Sequence, residues 1–167
     1  MQTVACPTRK IRALHSSAGE HLFAENVRLD NNLDGHRMQR FTGSCLCGNV
    51  RIEASGRPNR VGLCHCLDCR KHHGALFHAS AIFAQKAVTI HGETREYAAR
   101  HFCPRCGSSV FSVSGDEIEV NLGSLDAPNQ LTPTYELWTI RRESWLPPFP
   151  LARSYERDRD TSSRFEE

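Results

Sequence analysis

The cysteines of this chain fall into three tight groups: Cys45-x-Cys47, Cys64-x-Cys66-x-x-Cys69 and Cys103-x-x-Cys106. Cys6 alone stands apart and reads as an incidental thiol. Two cysteines one or two residues apart do not readily close a disulfide on each other, yet their sulfurs converge easily on one ion at a Zn–S distance of about 2.3 Å. A CxxC pair alone is a weak signal, shared with redox motifs; three such groups in one short stretch constrain the fold far more. Cys103-Pro104-Arg105-Cys106-Gly107 is a zinc-knuckle sequence whose glycine permits the tight turn that aims backbone amides at sulfur. Cys45 and Cys47 could complete its tetrahedron, closing a long loop. Cys64, Cys66 and Cys69 then remain as a trio. Three thiolates leave a fourth position open, as catalytic zinc sites do. His65, His72, His73 or His78 could instead close this second site; His65, lying between two ligands, should point its ring away from their ion.

Composition bears on where such sites can exist. With 167 residues, one domain with a real core is the default, but at 39% hydrophobic the chain leaves room for metal to do part of the work of burial. A net charge of +2 implies no strong field for nucleic acid or membrane. Residues Met1 to Leu33 carry Glu20, Glu25 and Asp30 and no signal-type apolar region, and no long apolar run predicts a membrane span. A reducing, cytoplasmic setting is the expectation, and there paired cysteines point to metal or catalysis.

Three segments are expected. Residues 1–37 form an irregular extension, with a short amphipathic helix over Gly19 to Leu29. Residues 38–151 form the zinc-binding domain, and 152–167 a charged tail that frays from Arg153 onward. The domain reads as mainly β. Asn49 to Ala54 alternates with period two, Arg60 to Leu63 leads into the trio, and Ala75 to Phe83 and Lys86 to Ile90 are β-rich. Ser109 to Val113 and Glu117 to Leu122 flank Gly115-Asp116 as a hairpin, although the turn order is not the favoured Asp-Gly. Thr134 to Ile140 is the last strand, and Asp68 to His73 is the one helical turn.

In this order the groups resemble the glutathione-dependent formaldehyde-activating enzyme family, which includes centromere protein V-like proteins. The resemblance runs from about Met38 to Trp145. It rests on Gly43-Ser44-Cys45-Leu46-Cys47-Gly48, Cys64-His65-Cys66-Leu67-Asp68-Cys69-Arg70-Lys71, Gly74-Ala75, Phe102-Cys103-Pro104-Arg105-Cys106-Gly107-Ser108, Gly123-Ser124-Leu125-Asp126, Pro133 and Trp145. It implies a β-tent fold of small antiparallel sheets, a structural zinc on Cys45, Cys47, Cys103 and Cys106, and a substrate-facing catalytic zinc on Cys64, Cys66 and Cys69: two ions per chain. The implied activity is that of a carbon–sulfur lyase making or breaking S-(hydroxymethyl)glutathione, with glutathione or a related thiol and an aldehyde as partners. Arg70 matches the family's basic residue after the third cysteine, as a carboxylate anchor or a plain structural ion pair. Two departures stand out: the segment Ala98 to His101 is short, and Tyr135-Glu136-Leu137-Trp138 occupies a place where many members carry a histidine.

A Lewis-acidic ion lowers the pKa of a thiol near neutrality, and the thiolate then adds to an aldehyde carbon. A general acid must handle the oxygen proton, and His65, His72 and His73 are the candidates by proximity in sequence. The rival reading is a noncatalytic zinc module that binds a protein, a thiol or nucleic acid. Arg141-Arg142 with Trp138 and Trp145 is a faint basic–aromatic strip for the last of these, and the near-neutral charge disfavours it.

Overall fold

The computed structural model describes residues 38–159 and Phe165; the remainder of the chain, including Cys6 and the helix expected over Gly19 to Leu29, lies outside them. In chain order the strands are β1 (Arg40–Ser44), β2 (Arg51–Ser55), β3 (Arg60–Cys64), β4 (His78–Ala84), β5 (Val88–His91), β6 (Arg95–Tyr97), β7 (Arg100–Phe102), β8 (Ser109–Ser114), β9 (Glu117–Asn121), β10 (Tyr135–Leu137) and β11 (Arg153–Ser154). One α-helix, α1 (Leu67–His73), sits between β3 and β4. The mainly β expectation with a single helical turn matches this architecture. Among the described residues no helix is long and apolar enough to cross a membrane.

Strands β1, β2 and β5 form an antiparallel three-stranded sheet in that order. Buried and exposed residues alternate along β1 and β2, so Phe41, Ile52 and Ala54 all face inward. The other eight strands make one sheet in the order β11-β10-β3-β4-β9-β8-β7-β6. Its inner residues Phe83, Val110, Ile118 and Val120 join the first sheet's apolar face in one core, with the Phe41 and Phe83 rings 5.8 Å apart. β10 runs parallel to both β3 and β11. It packs closely because Tyr135 lies opposite Gly62: a Cβ at Gly62 would collide with the Tyr135 ring.

Several details differ from the sequence expectation. The last strand stops at Leu137 because Trp138 takes a left-handed conformation (φ 57°) and leads into a 3-10 turn. Residues 153–157 do not fray: Arg153 and Tyr155 donate to the Thr134 and Glu136 carbonyls, and Trp138 donates to that of Arg157. The β8–β9 hairpin forms where expected; its loop has positive φ at Gly115 and not at Asp116, so the Gly-first order suits a II′ turn. The β6–β7 hairpin is unanticipated. Its two-residue loop, Ala98-Ala99, has φ of 50° and 60°, a I′ pattern built without the usual Asn-Gly.

Candidate metal centres and the adjoining cavity

The turn after β1 and the turn before β8 bring Cys45, Cys47, Cys103 and Cys106 together, all four sulfurs within 4.8 Å of one another. A tetrahedron with Zn–S bonds of about 2.3 Å has edges of about 3.8 Å. The Cys45–Cys47 and Cys47–Cys103 sulfur separations are 3.6 and 3.8 Å. The two turns have similar construction: the Cys45 amide donates to the Val50 carbonyl and the Cys103 amide to that of Ser108. Gly48 and Gly107, at φ 75° and 74°, reverse the chain after the second cysteine of each.

The surrounding donors favour thiolate at part of this set. The Ser108 hydroxyl, 3.3 Å away, and the Ser108 amide bring Cys106 down to about 5. Burial pushes the Cys45 thiol up, but the Val50 amide at 3.2 Å and the neighbouring thiols outweigh it, so the net direction is down. The Asn49 amide pulls Cys47 down, yet burial and the other three thiols drive it up to about 11. Four sulfurs at tetrahedral spacing, two of them buried, are a donor set that fits a closed zinc site.

The second group is local to one stretch of chain. Cys64 ends β3, Cys66 caps α1 by accepting from the Cys69 amide at 3.4 Å, and Cys69 lies in the first helical turn. Their sulfurs also lie within 4.8 Å of one another, and no histidine among the described residues completes that set. Burial raises the Cys66 thiol; the hydrogen bond with Cys64, then burial, raises Cys69. Three half-buried sulfurs fit a metal with one position that no donor among the described residues fills.

The histidines divide sharply. The His65 ring does point away: it is fully buried, with Nε2 3.1 Å from Glu136 Oε2. Glu136, itself fully buried, also accepts from Arg142 at 2.8 Å and Ser154 at 2.7 Å. Burial opposes its ionisation, but the bonds from Ser154, His65 and Arg142 hold its carboxyl below the usual range. His65 lines neither of the two cavities described below. His78, opposite Cys64 in the β3–β4 register, bonds to Asn121 Oδ1 at 2.8 Å and to the Cys69 side chain. Burial lowers its pKa, but those two partners reverse the direction. His73 stacks on it with centroids 3.9 Å apart and is driven down to about 3, chiefly by burial and then by the charge of His78. His72 Nε2 lies 2.8 Å from Ser109 Oγ and is lowered by burial, then by Arg100 and His78.

Cys69 and these three imidazoles line a cavity of about 220 Å³, together with Arg100 and Glu119. His73, His78, Ser109 and Asn121 separate it from a larger cavity of about 590 Å³ beside Cys45, Ser124 and Asp126. Ser109, Asn121, Arg100 and Glu119 gave no signal in the sequence, being single polar residues on separate strands. Arg70 is committed: its guanidinium donates to the Arg141 carbonyl at 2.8 Å and to Glu143, so it is a structural clamp on α1 rather than a free carboxylate anchor. The basic–aromatic strip does not assemble. Arg142 turns onto Glu136 and the Trp138 indole donates to Asp158 at 2.7 Å, which leaves Arg141 and Trp145 as its exposed members.

The sequence model of the family described as glutathione-dependent formaldehyde-activating enzyme matches residues 40–141, more than half of the chain. A crystal structure of a Rhodobacter sphaeroides protein, a structural genomics target, resembles this chain at 22% identity and a TM-score of 0.43, covering 53% of this chain and 91% of its own. The search of curated proteins returned no match. From the extent of the family match, the chain belongs to the glutathione-dependent formaldehyde-activating enzyme family.

Proposed function

We propose that this protein is a zinc-dependent carbon–sulfur lyase that makes and cleaves thiol–aldehyde adducts at Cys64, Cys66 and Cys69, while Cys45, Cys47, Cys103 and Cys106 hold a structural ion. The observation that carries this is the contrast between the two sulfur groups. One is a tetrad of tetrahedral spacing; the other is a trio that no fourth donor among the described residues completes, bordering a cavity lined by imidazoles. Zinc held by the trio would supply Lewis acidity that favours thiolate over thiol near neutral pH.

The chain's own groups then manage position and proton. In the forward direction the substrate S–H bond breaks, a sulfur–carbon bond forms to the aldehyde, and the carbonyl π pair moves to oxygen, which takes up a proton. His72 is neutral near pH 7, because burial and the Arg100 charge keep its pKa low. Its Nε2, hydrogen-bonded to Ser109 Oγ at 2.8 Å, can take up the thiol proton through that hydroxyl and return a proton to the new alkoxide oxygen by the same route. Cleavage runs the same transfers backward. The test is hemithioacetal formation and breakdown followed by exchange NMR, with formaldehyde and a thiol, on wild type and Cys66→Ser. Enzyme-dependent exchange lost in the variant supports the reading; equal rates remove it.

A further inference from the structure

The smaller cavity carries two charged side chains to which the bond-making steps assign no contact with substrate. Arg100 and Glu119 supply the one guanidinium and the one carboxyl group of its lining. They lie in one cross-strand row, because Arg100 pairs with Ser112 and Ser112 pairs with Glu119, so both side chains leave the same face of the sheet. The Arg100 guanidinium donates to the Ala98 carbonyl at 3.2 Å, and one Glu119 oxygen accepts from Ser112 at 3.1 Å. Among the described residues neither is in an ion pair. Half-buried charges kept apart in a cavity, rather than bridged to each other, are poised for groups of opposite sign on a ligand.

Two further observations bear on the size and rigidity of that ligand. A volume of about 220 Å³ falls below the ~300 Å³ at which pockets for larger organic ligands begin, which suits a ligand of amino-acid size. Arg100 is also held in place by an unfavourable turn: Ala98 and Ala99 both sit at positive φ, and the Val113 amide fixes the Ala99 carbonyl at 3.0 Å. Such strain in a hairpin that borders a reactive cavity is a feature associated with ligand positioning.

We propose that the substrate thiol is a small zwitterion of amino-acid size, whose carboxylate is taken by Arg100 and whose ammonium is taken by Glu119, with its sulfur directed at Cys64, Cys66 and Cys69. This rests on the reading of the trio as the thiol site and names the class of thiol it selects. Both residues are specificity determinants; neither takes part in bond making.

The experiment is calorimetric titration of the zinc-loaded protein with four thiols, zinc content being measured before and after. The thiols are cysteine, cysteamine (no carboxylate), 3-mercaptopropionate (no ammonium) and glutathione. Cysteine should bind about tenfold or more tighter than either single-charge analogue, and tighter than glutathione. In Arg100→Gln, cysteine should fall to the level of cysteamine while cysteamine is unchanged; Glu119→Gln should do the same relative to 3-mercaptopropionate. Unchanged zinc content shows that each variant is folded, and Arg100→Lys should recover part of the preference. Equal affinities for all four thiols, tighter binding of glutathione, or uniform losses in the variants would overturn the inference alone. Binding of no thiol by protein carrying both ions would overturn the reading of the trio, and this inference with it.

Discussion

Replacing Cys103 with serine should remove a large share of the domain's stability, and only while zinc is present. Cys103 is fully buried and belongs to the tetrad that ties the turn after β1 to the turn before β8. Its sulfur is 3.8 Å from that of Cys47, across 56 positions of chain. Treating the ion as a cross-link, closing a loop of that length constrains the unfolded chain by about 4 kcal/mol. Domains of this kind have a net stability of roughly 5–15 kcal/mol, so the variant should sit near the edge of folding. The trio spans only Cys64 to Cys69, and the same relation gives about 2 kcal/mol for its short loop. Urea unfolding followed by circular dichroism, with and without a strong chelator, separates the two. Cys103→Ser should cost about twice what Cys66→Ser costs, and its penalty should shrink to below about 1 kcal/mol once wild type is also stripped of metal. A Cys103→Ser penalty that persists undiminished in chelator, or one no larger than that of Cys66→Ser, would refute the cross-link argument.

Other perturbations test the framework around the sites. Gly62→Ala should destabilise by about 1–3 kcal/mol, because the new methyl meets the Tyr135 ring, and combining it with Tyr135→Leu should recover much of the loss in a thermal melt. Ala99→Gly should stabilise by about 1 kcal/mol, since glycine takes the left-handed conformation without the clash alanine suffers; an unchanged or lower melting temperature would contradict the I′ assignment. His73 is held down to about 3, first by burial, so the folded state binds fewer protons than the unfolded state as pH falls below about 6.5. Its contribution is therefore intact above that pH and lost progressively between about 6.5 and 3. His73→Gln should show a shallower decline of urea midpoint across that window, and parallel curves would refute the assignment.

What the sequence made legible were features written in adjacent residues. The cysteine spacings mark turns that aim two sulfurs the same way, the alternation in Arg51–Ser55 marks a half-buried strand, and Gly115 marks a hairpin. The hidden features depend on partners far along the chain. Ala98-Ala99 has no turn signature, because the loop takes its shape from β7 pairing with β8 rather than from its own residues. Arg153–Ser154 reads as tail, yet it becomes a strand because the edge of β10 has backbone groups to satisfy. The row Arg100, Ser112, Glu119 exists only once three strands are in register. His65 was separable from the other histidines by position alone: an alternating strand end places it opposite the cysteines on either side, and the structure adds the buried Glu136 that receives it.

Zinc counted per chain by native mass spectrometry bears on the central claim most directly. Two ions in wild type, falling to one in Cys66→Ser with the fold retained, is the predicted result. A single ion in wild type that survives Cys66→Ser unchanged would mean that the trio holds no metal, leaving a module with one structural zinc and no thiol chemistry of the kind argued above.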